Sequence, residues 1–177
     1  MPLVNYHLGF LAREDKQYIK AQIHWSMVLE HSPEEDLKEH VRILLQGIED
    51  LVIYETGYEA ILAGNPQKGL PLLEQLEEKY EEWWNLLFFI GIGHRQLGDY
   101  DKAIDYFDRV LELKSDQVDA MVEMSICLSS IGDYHDAIEG FGRAIEVGGE
   151  NNEVLSNLAI AYMEIGDYQQ AKECLER

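Results

Sequence analysis

The chain has little of what most chemistry needs. Its 177 residues hold two cysteines, Cys127 and Cys174, in no CxxC pair. That leaves no disulfide framework and no thiolate metal cluster, so buried free thiols in a reducing, cytoplasmic setting are expected. Basic side chains are scarce as well: 14 Lys and Arg face 34 Asp and Glu, for a formal charge of −20. Nucleic acid is repelled by such a surface, and no nucleic-acid partner is expected. No stretch approaches the ~20 apolar residues of a membrane span. The start, Met1-Pro2-Leu3-Val4-Asn5-Tyr6, lacks the basic lead and apolar run of a secretory signal.

Catalytic signatures are missing too. HExxH, GxSxG, GxxxxGK[ST] and GxGxxG do not occur, and Gly91-Ile92-Gly93-His94 reads as a piece of helix. The six histidines, His7, His24, His31, His40, His94 and His135, are scattered, and His24 and His31 lie seven apart on one helix, too far for one metal. No cofactor, no metal and no enzymatic activity are expected. The charge is uneven: residues 1–49 carry 5 basic and 8 acidic side chains, the remaining 128 carry 9 and 26. Such a field either keeps an exposed helical array soluble or steers a partner of basic character toward it.

What the chain does have is a period. Gly64, Gly98, Gly132 and Gly166 stand 34 residues apart, the last three in Gly-Asp-Tyr, each followed by Ala103, Ala137 or Ala171. A 34-residue period signals stacked helix-turn-helix units. In residues 84–117, Leu87, Ile90, Gly91 and His94 mark a first helix and Ala103, Ile104, Phe107, Val110 and Leu111 the apolar stripe of a second. Glycine suits the left-handed end of the first helix. Units 118–151 and 152–177 repeat the pattern; residues 2–35 and 50–83 keep it more weakly.

The unit length, the Ile90-Gly91 pair, the Gly-Asp-Tyr turn, Ala103 and Phe107 together resemble the tetratricopeptide repeat (TPR) family. The resemblance implies an all-α, right-handed superhelical solenoid of about five units in a single domain over 1–177: 2–35, 36–83, 84–117, 118–151 and 152–177. The 36–83 unit holds an insertion, since Gly9 to Gly57 is 48 residues, 14 more than the period. Fourteen residues return a helix to within about 40° of its starting face. Leu37, Val41, Leu44, Leu45 and Ile48 carry a stripe through it, and Ser32-Pro33-Glu34-Glu35 is a start signal. One long helix is therefore expected from about Pro33 to Ala63, an extended first helix of roughly 46 Å, with Gly47 as its weak point and a break there as the alternative. The chain stops before the last helix completes its stripe, as a fragment of a longer protein would, or one that stacks end to end through its open repeat.

In TPR proteins the first helices line a concave groove that takes extended or helical peptides. By position, the resemblance puts Tyr6, Phe10, Tyr54, Tyr58, Asn85, Phe88, Phe89, Ile92, Arg95, Val122, Ile126 and Asn157 on that groove, with Arg13, Ile61, Leu62, Glu123, Ser130, Ile160 and Met163 beside them. It thereby implies a protein-interaction module for an apolar or amphipathic peptide or helix. A second reading makes the chain an oligomerisation segment of a larger protein. The opposing reading for Phe10, Tyr58, Ile92, Ile126 and Ile160, one shared repeat position, is packing between helices; Tyr54 and Phe88, a turn earlier, are the stronger groove candidates. The carboxylate clamp of chaperone-tail binders is not matched: aromatics stand where its polar residues are needed, and Arg95 and Asn157 are isolated. Trp83-Trp84 falls where one unit meets the next and reads as packing.

Overall fold

A computed structural model describes residues 1–177 and consists of helices and short turns, without strands. The helices are α1 (Pro2–Glu14), α2 (Tyr18–His31), α3 (Glu35–Gln46), α4 (Glu49–Leu62), α5 (Pro66–Glu77), α6 (Trp84–Leu97), α7 (Tyr100–Leu113), α8 (Val118–Ile131), α9 (Tyr134–Gly148), α10 (Asn152–Glu164) and α11 (Tyr168–Leu175). They fall into two compact units, Met1–Leu76 and Glu77–Arg177.

Five turns share one backbone pattern. Gly98 N–H donates to Arg95 O and Asp99 N–H to His94 O; the same pair of bonds recurs at Gly64, Gly132 and Gly166. These glycines have φ between +71° and +94°, where a side chain is costly. The fifth copy lies between α1 and α2, where Lys16 N–H reaches Arg13 O and Gln17 N–H reaches Ala12 O. Lys16 takes φ +58° there without being glycine. The period thus pairs α1 with α2, α4 with α5, α6 with α7, α8 with α9 and α10 with α11.

The helices of a pair approach closely where the first carries glycine. A Cβ on Gly9 would lie 2.1 Å from Trp25 Nε1, on Gly57 2.5 Å from Leu73, and on Gly91 2.8 Å from Phe107. Trp25, fully buried, also donates its indole N–H to Tyr6 O at 3.1 Å. In the α8/α9 pair the corresponding residue is Ser125. Here Gly140 supplies the missing volume: a Cβ on it would sit 2.2 Å from Ser125 Oγ.

The expected continuous helix over 33–63 is corrected to two. Gly47 ends α3 with φ −69° and ψ −12°, and Ile48 precedes α4 with φ −118° and ψ 2°. The first helix of the second pair is therefore not extended; the inserted residues form α3, a helix of their own. Both α3 and α4 pack against α2. Val41 from α3, Ile48 from the break and Val52 from α4 join Ala21, Trp25 and Val28 in one core. A straight rod would carry one of these segments away from α2, and burying both outweighs the backbone bonds lost at a glycine already ill-suited to a helix interior. The start signal is used differently as well: Ser32 Oγ accepts from Glu34 N–H at 3.2 Å, and the helix begins at Glu35.

The N-terminus of α2 is capped from another helix. Gln17 provides no side-chain cap. Instead Glu55, buried on α4, accepts from Ile19 N–H at 2.8 Å, placing a carboxylate against the positive end of the helix.

Two stability changes are expected. Lys16→Gly relieves the left-handed strain and stabilises unit 1 by about 1 kcal/mol, read as a rise in denaturation midpoint. Glu55→Ala leaves the half-buried Ile19 N–H without its acceptor and costs about 1 kcal/mol in the same assay; an unchanged midpoint would rule out the capping role.

Candidate functional site

The groove positions inferred from sequence fall into two sets, one in each unit. In unit 1 the aromatic row of α1 is largely consumed by packing. Tyr6 is half-buried and meets Phe10 edge-on, with ring centroids 5.1 Å apart, and His40 of α3 at 5.8 Å. Phe10 in turn packs edge-on against Trp25 at 5.3 Å. The inserted helix thus lies against a side chain assigned to the groove. On α4, Tyr54 is only 8% exposed, so packing prevails over display at a position read as a strong groove candidate. Burial, with the neighbouring Tyr58 phenol, pushes the Tyr54 hydroxyl well above its usual range. Tyr58 stays half-buried, its ring 5.2 Å from that of Tyr54.

Unit 2 displays more. There α6, α8 and α10 are neighbours, each the first helix of its pair. Phe88 and Phe89 of α6 are both half-buried, centroids 5.6 Å apart, and Phe88 also touches Phe107 at 5.8 Å. Asn85 is half-buried at the start of the same helix, whereas Ile92 is only 8% exposed and serves packing. Val122 and Ile126 of α8 rest partly on the core formed by Phe141, Val154 and Leu158. Ile126 also joins Asn157 and Ile160 of α10 around a cavity of about 250 Å³, completed by Ser129, Ser130, Tyr134, Phe141 and Glu164. Along the shared repeat position exposure therefore rises from Ile92 through Ile126 to Ile160, which is 49% exposed.

Two polar features escaped the sequence reading. Arg95 is not isolated: its Nε lies 2.7 Å from Oε2 of Glu123 on α8, bridging two first helices. Burial raises the Glu123 carboxyl above its ordinary value, while the Arg95 charge opposes the rise. Ser129 was not singled out, although it stands one period after Arg95. Its hydroxyl is buried beside the cavity with no hydrogen-bond partner. Elsewhere in the unit, His94 fills an aromatic slot, its ring stacked on Tyr106 at 5.5 Å and 10°. Trp84 is half-buried beneath Lys114, whose Nζ lies 4.5 Å from the ring centroid. Cys127 is fully buried, and burial pushes its thiol up to about 12.

The Glu123 carboxyl is expected to titrate above 4.5 in a carbon-detected NMR titration, and Arg95→Met to move it higher. Its folded-state pKa exceeds the unfolded one. Its contribution therefore favours folding below the unfolded value and is lost as pH rises through the folded value. A midpoint at or below 4.5 would contradict this account of burial.

Family models for the tetratricopeptide repeat match residues 84–116 and 130–177. A comparison with curated proteins finds no match. Among solved structures, a crystal structure of MamA is similar at a TM-score of 0.70 and 16% identity, covering 99% of this chain and 88% of that one. A MamA RS-1 double mutant gives 0.71 at 11% identity, covering 99% and 90%. The first TPR of Spaghetti (RPAP3), bound to the HSP90 peptide SRMEEVD, gives 0.62 at 14%, covering 66% and 92%. At these identities the likeness is one of fold. Both matched stretches contain the repeated turn, and residues 84–116 and 130–177 are tetratricopeptide repeats on a fold shared with these structures.

Proposed function

We propose that the chain is a protein-interaction module, and that the face formed by α6, α8 and α10 binds an apolar or amphipathic peptide or helix. Tetratricopeptide repeats mediate protein–protein interaction and are typically non-enzymatic scaffolds. The observation that carries the finer reading is the cavity between α8 and α10. It combines exposed aliphatic surface at Ile160 with an uncommitted amide at Asn157 and an unpartnered hydroxyl at Ser129. Apolar contact area with a few orienting polar groups is the make-up of a peptide groove. Phe88 and Phe89 extend the apolar character along α6. The Arg95–Glu123 pair neutralises its own charge, so this face does not favour a doubly ionised carboxylate tail.

An end-to-end association of copies is the second reading, favoured by the exposure of Ile165, Tyr168 and Leu175 on the last helix pair. Sedimentation across a concentration series separates the two, since only this association makes size depend on concentration.

Peptides selected on the folded protein from a random display library provide the test. Ile160→Asp and Asn157→Ala are expected to weaken the selected peptides about tenfold, while leaving the circular dichroism spectrum unchanged. Peptides that bind both variants as well as wild type would exclude this face as the groove.

A further inference from the structure

Unit 2 has a larger cavity on another side of α8, about 430 Å³, between α7, α8 and α9. The side chains α8 turns toward it, Met121, Met124 and Leu128, differ from those it turns toward α10 (Ile126, Ser129 and Ser130). At ~100° per residue the two sets centre well over a quarter-turn apart. Methionine and leucine make the floor apolar and deformable. The lone hydroxyl in it, Ser125 Oγ, is already spent on Met121 O at 2.7 Å. Gly140 leaves the α9 wall without a side chain.

The rim is of the opposite character. Asp108 and Glu112 approach from α7, Asp136 and Glu139 from α9, all four exposed, with Arg143 as the one cation. The ion pairs Arg95–Glu123 and Arg109–Glu77 lie elsewhere, and the four carboxylates are unengaged. They do not converge as metal ligands. The setting reinforces their sign, since residues 77–177 carry 22 Asp and Glu against 8 Lys and Arg.

An apolar floor beneath a ring of unpaired carboxylates fits one kind of side chain: a long aliphatic stem ending in a cation. The stem rests on Met124 and Leu128 while the head reaches the rim. We infer that this cavity docks a basic segment of a partner protein, in which lysine or arginine alternates with aliphatic residues. This is a second surface, separate from the α8/α10 cavity.

The probe is a fluorescein-labelled hexapeptide of alternating lysine and leucine, followed by anisotropy at physiological salt, with the alternating lysine–glycine hexapeptide beside it. Saturable binding is expected, weaker for the glycine peptide. Glu112→Gln with Glu139→Gln should weaken the leucine peptide about tenfold. Glu78→Gln with Glu173→Gln, the same charge removed elsewhere in the unit, should change it less than about twofold. Met124→Asn should weaken it with all charges intact. Equal losses in the two charge variants would reduce the effect to net charge and overturn the assignment, as would no binding at millimolar peptide. A loss caused by Ile160→Asp would move the peptide to the other cavity. Self-association abolished by the Glu112/Glu139 change would put a second copy there instead of a partner.

Discussion

Everything in this fold hangs on how closely the two helices of a pair approach. Sixteen residues after a glycine of the first helix comes a bulky side chain of the second: Trp25 after Gly9, Leu73 after Gly57, Phe107 after Gly91. In each case the ring or branch occupies the volume a Cβ would need. Interiors packed to crystal-like density have no slack for an added methyl, so the contact fixes how the first helix is rotated about its axis. That rotation decides which residues point to the core and which to the face beyond. Where Ser125 replaces the glycine, the cost is met one position from the expected site, at Gly140.

Such contacts explain what could be read in advance. The 34-residue period, the left-handed glycines and the small residues at the contact are local or nearly local signals, so paired helices from 84 onward were legible. The first turn was less so, because Lys16 occupies the left-handed position with a side chain the pattern does not anticipate. The long helix failed for a different reason. A step of 14 residues keeps an apolar stripe in phase whether the helix continues or is cut and both pieces fold onto the same neighbour. Periodicity records the face, not continuity; the choice was made by the shape of α2, which both α3 and α4 cover.

The candidate groove was legible by position but not by exposure. Repeat phase placed Tyr54, Ile92, Ile126 and Asn157 on first helices, yet burial of each depends on what its neighbours contribute. Tyr6 meets His40 only because α3 exists, and no local pattern announces that contact. The Arg95–Glu123 pair was hidden for a similar reason: its members sit at different positions of successive units, 28 residues apart. Phase alone relates 95 to 129, the position of the unpartnered Ser129 hydroxyl.

The charge of unit 2 is thereby divided between surfaces. Toward α6 and α10, α8 contributes aliphatic groups and a glutamate already matched by arginine, so α8 itself adds little net charge there, and a ligand is held mainly by contact area and a few hydrogen bonds. Toward α7 and α9, the same helix contributes a methionine floor under four carboxylates that make no ion pair, with Arg143 as the one cation among them. Coulombic attraction acts across a Debye length of ~8 Å at physiological salt, whereas apolar contact acts only at touching distance. The carboxylate rim therefore governs the approach of a basic partner, and the apolar face governs what stays bound along the first helices. A single protein satisfying both would need a cationic stretch and an apolar stretch separated by enough chain to pass from one side of α8 to the other.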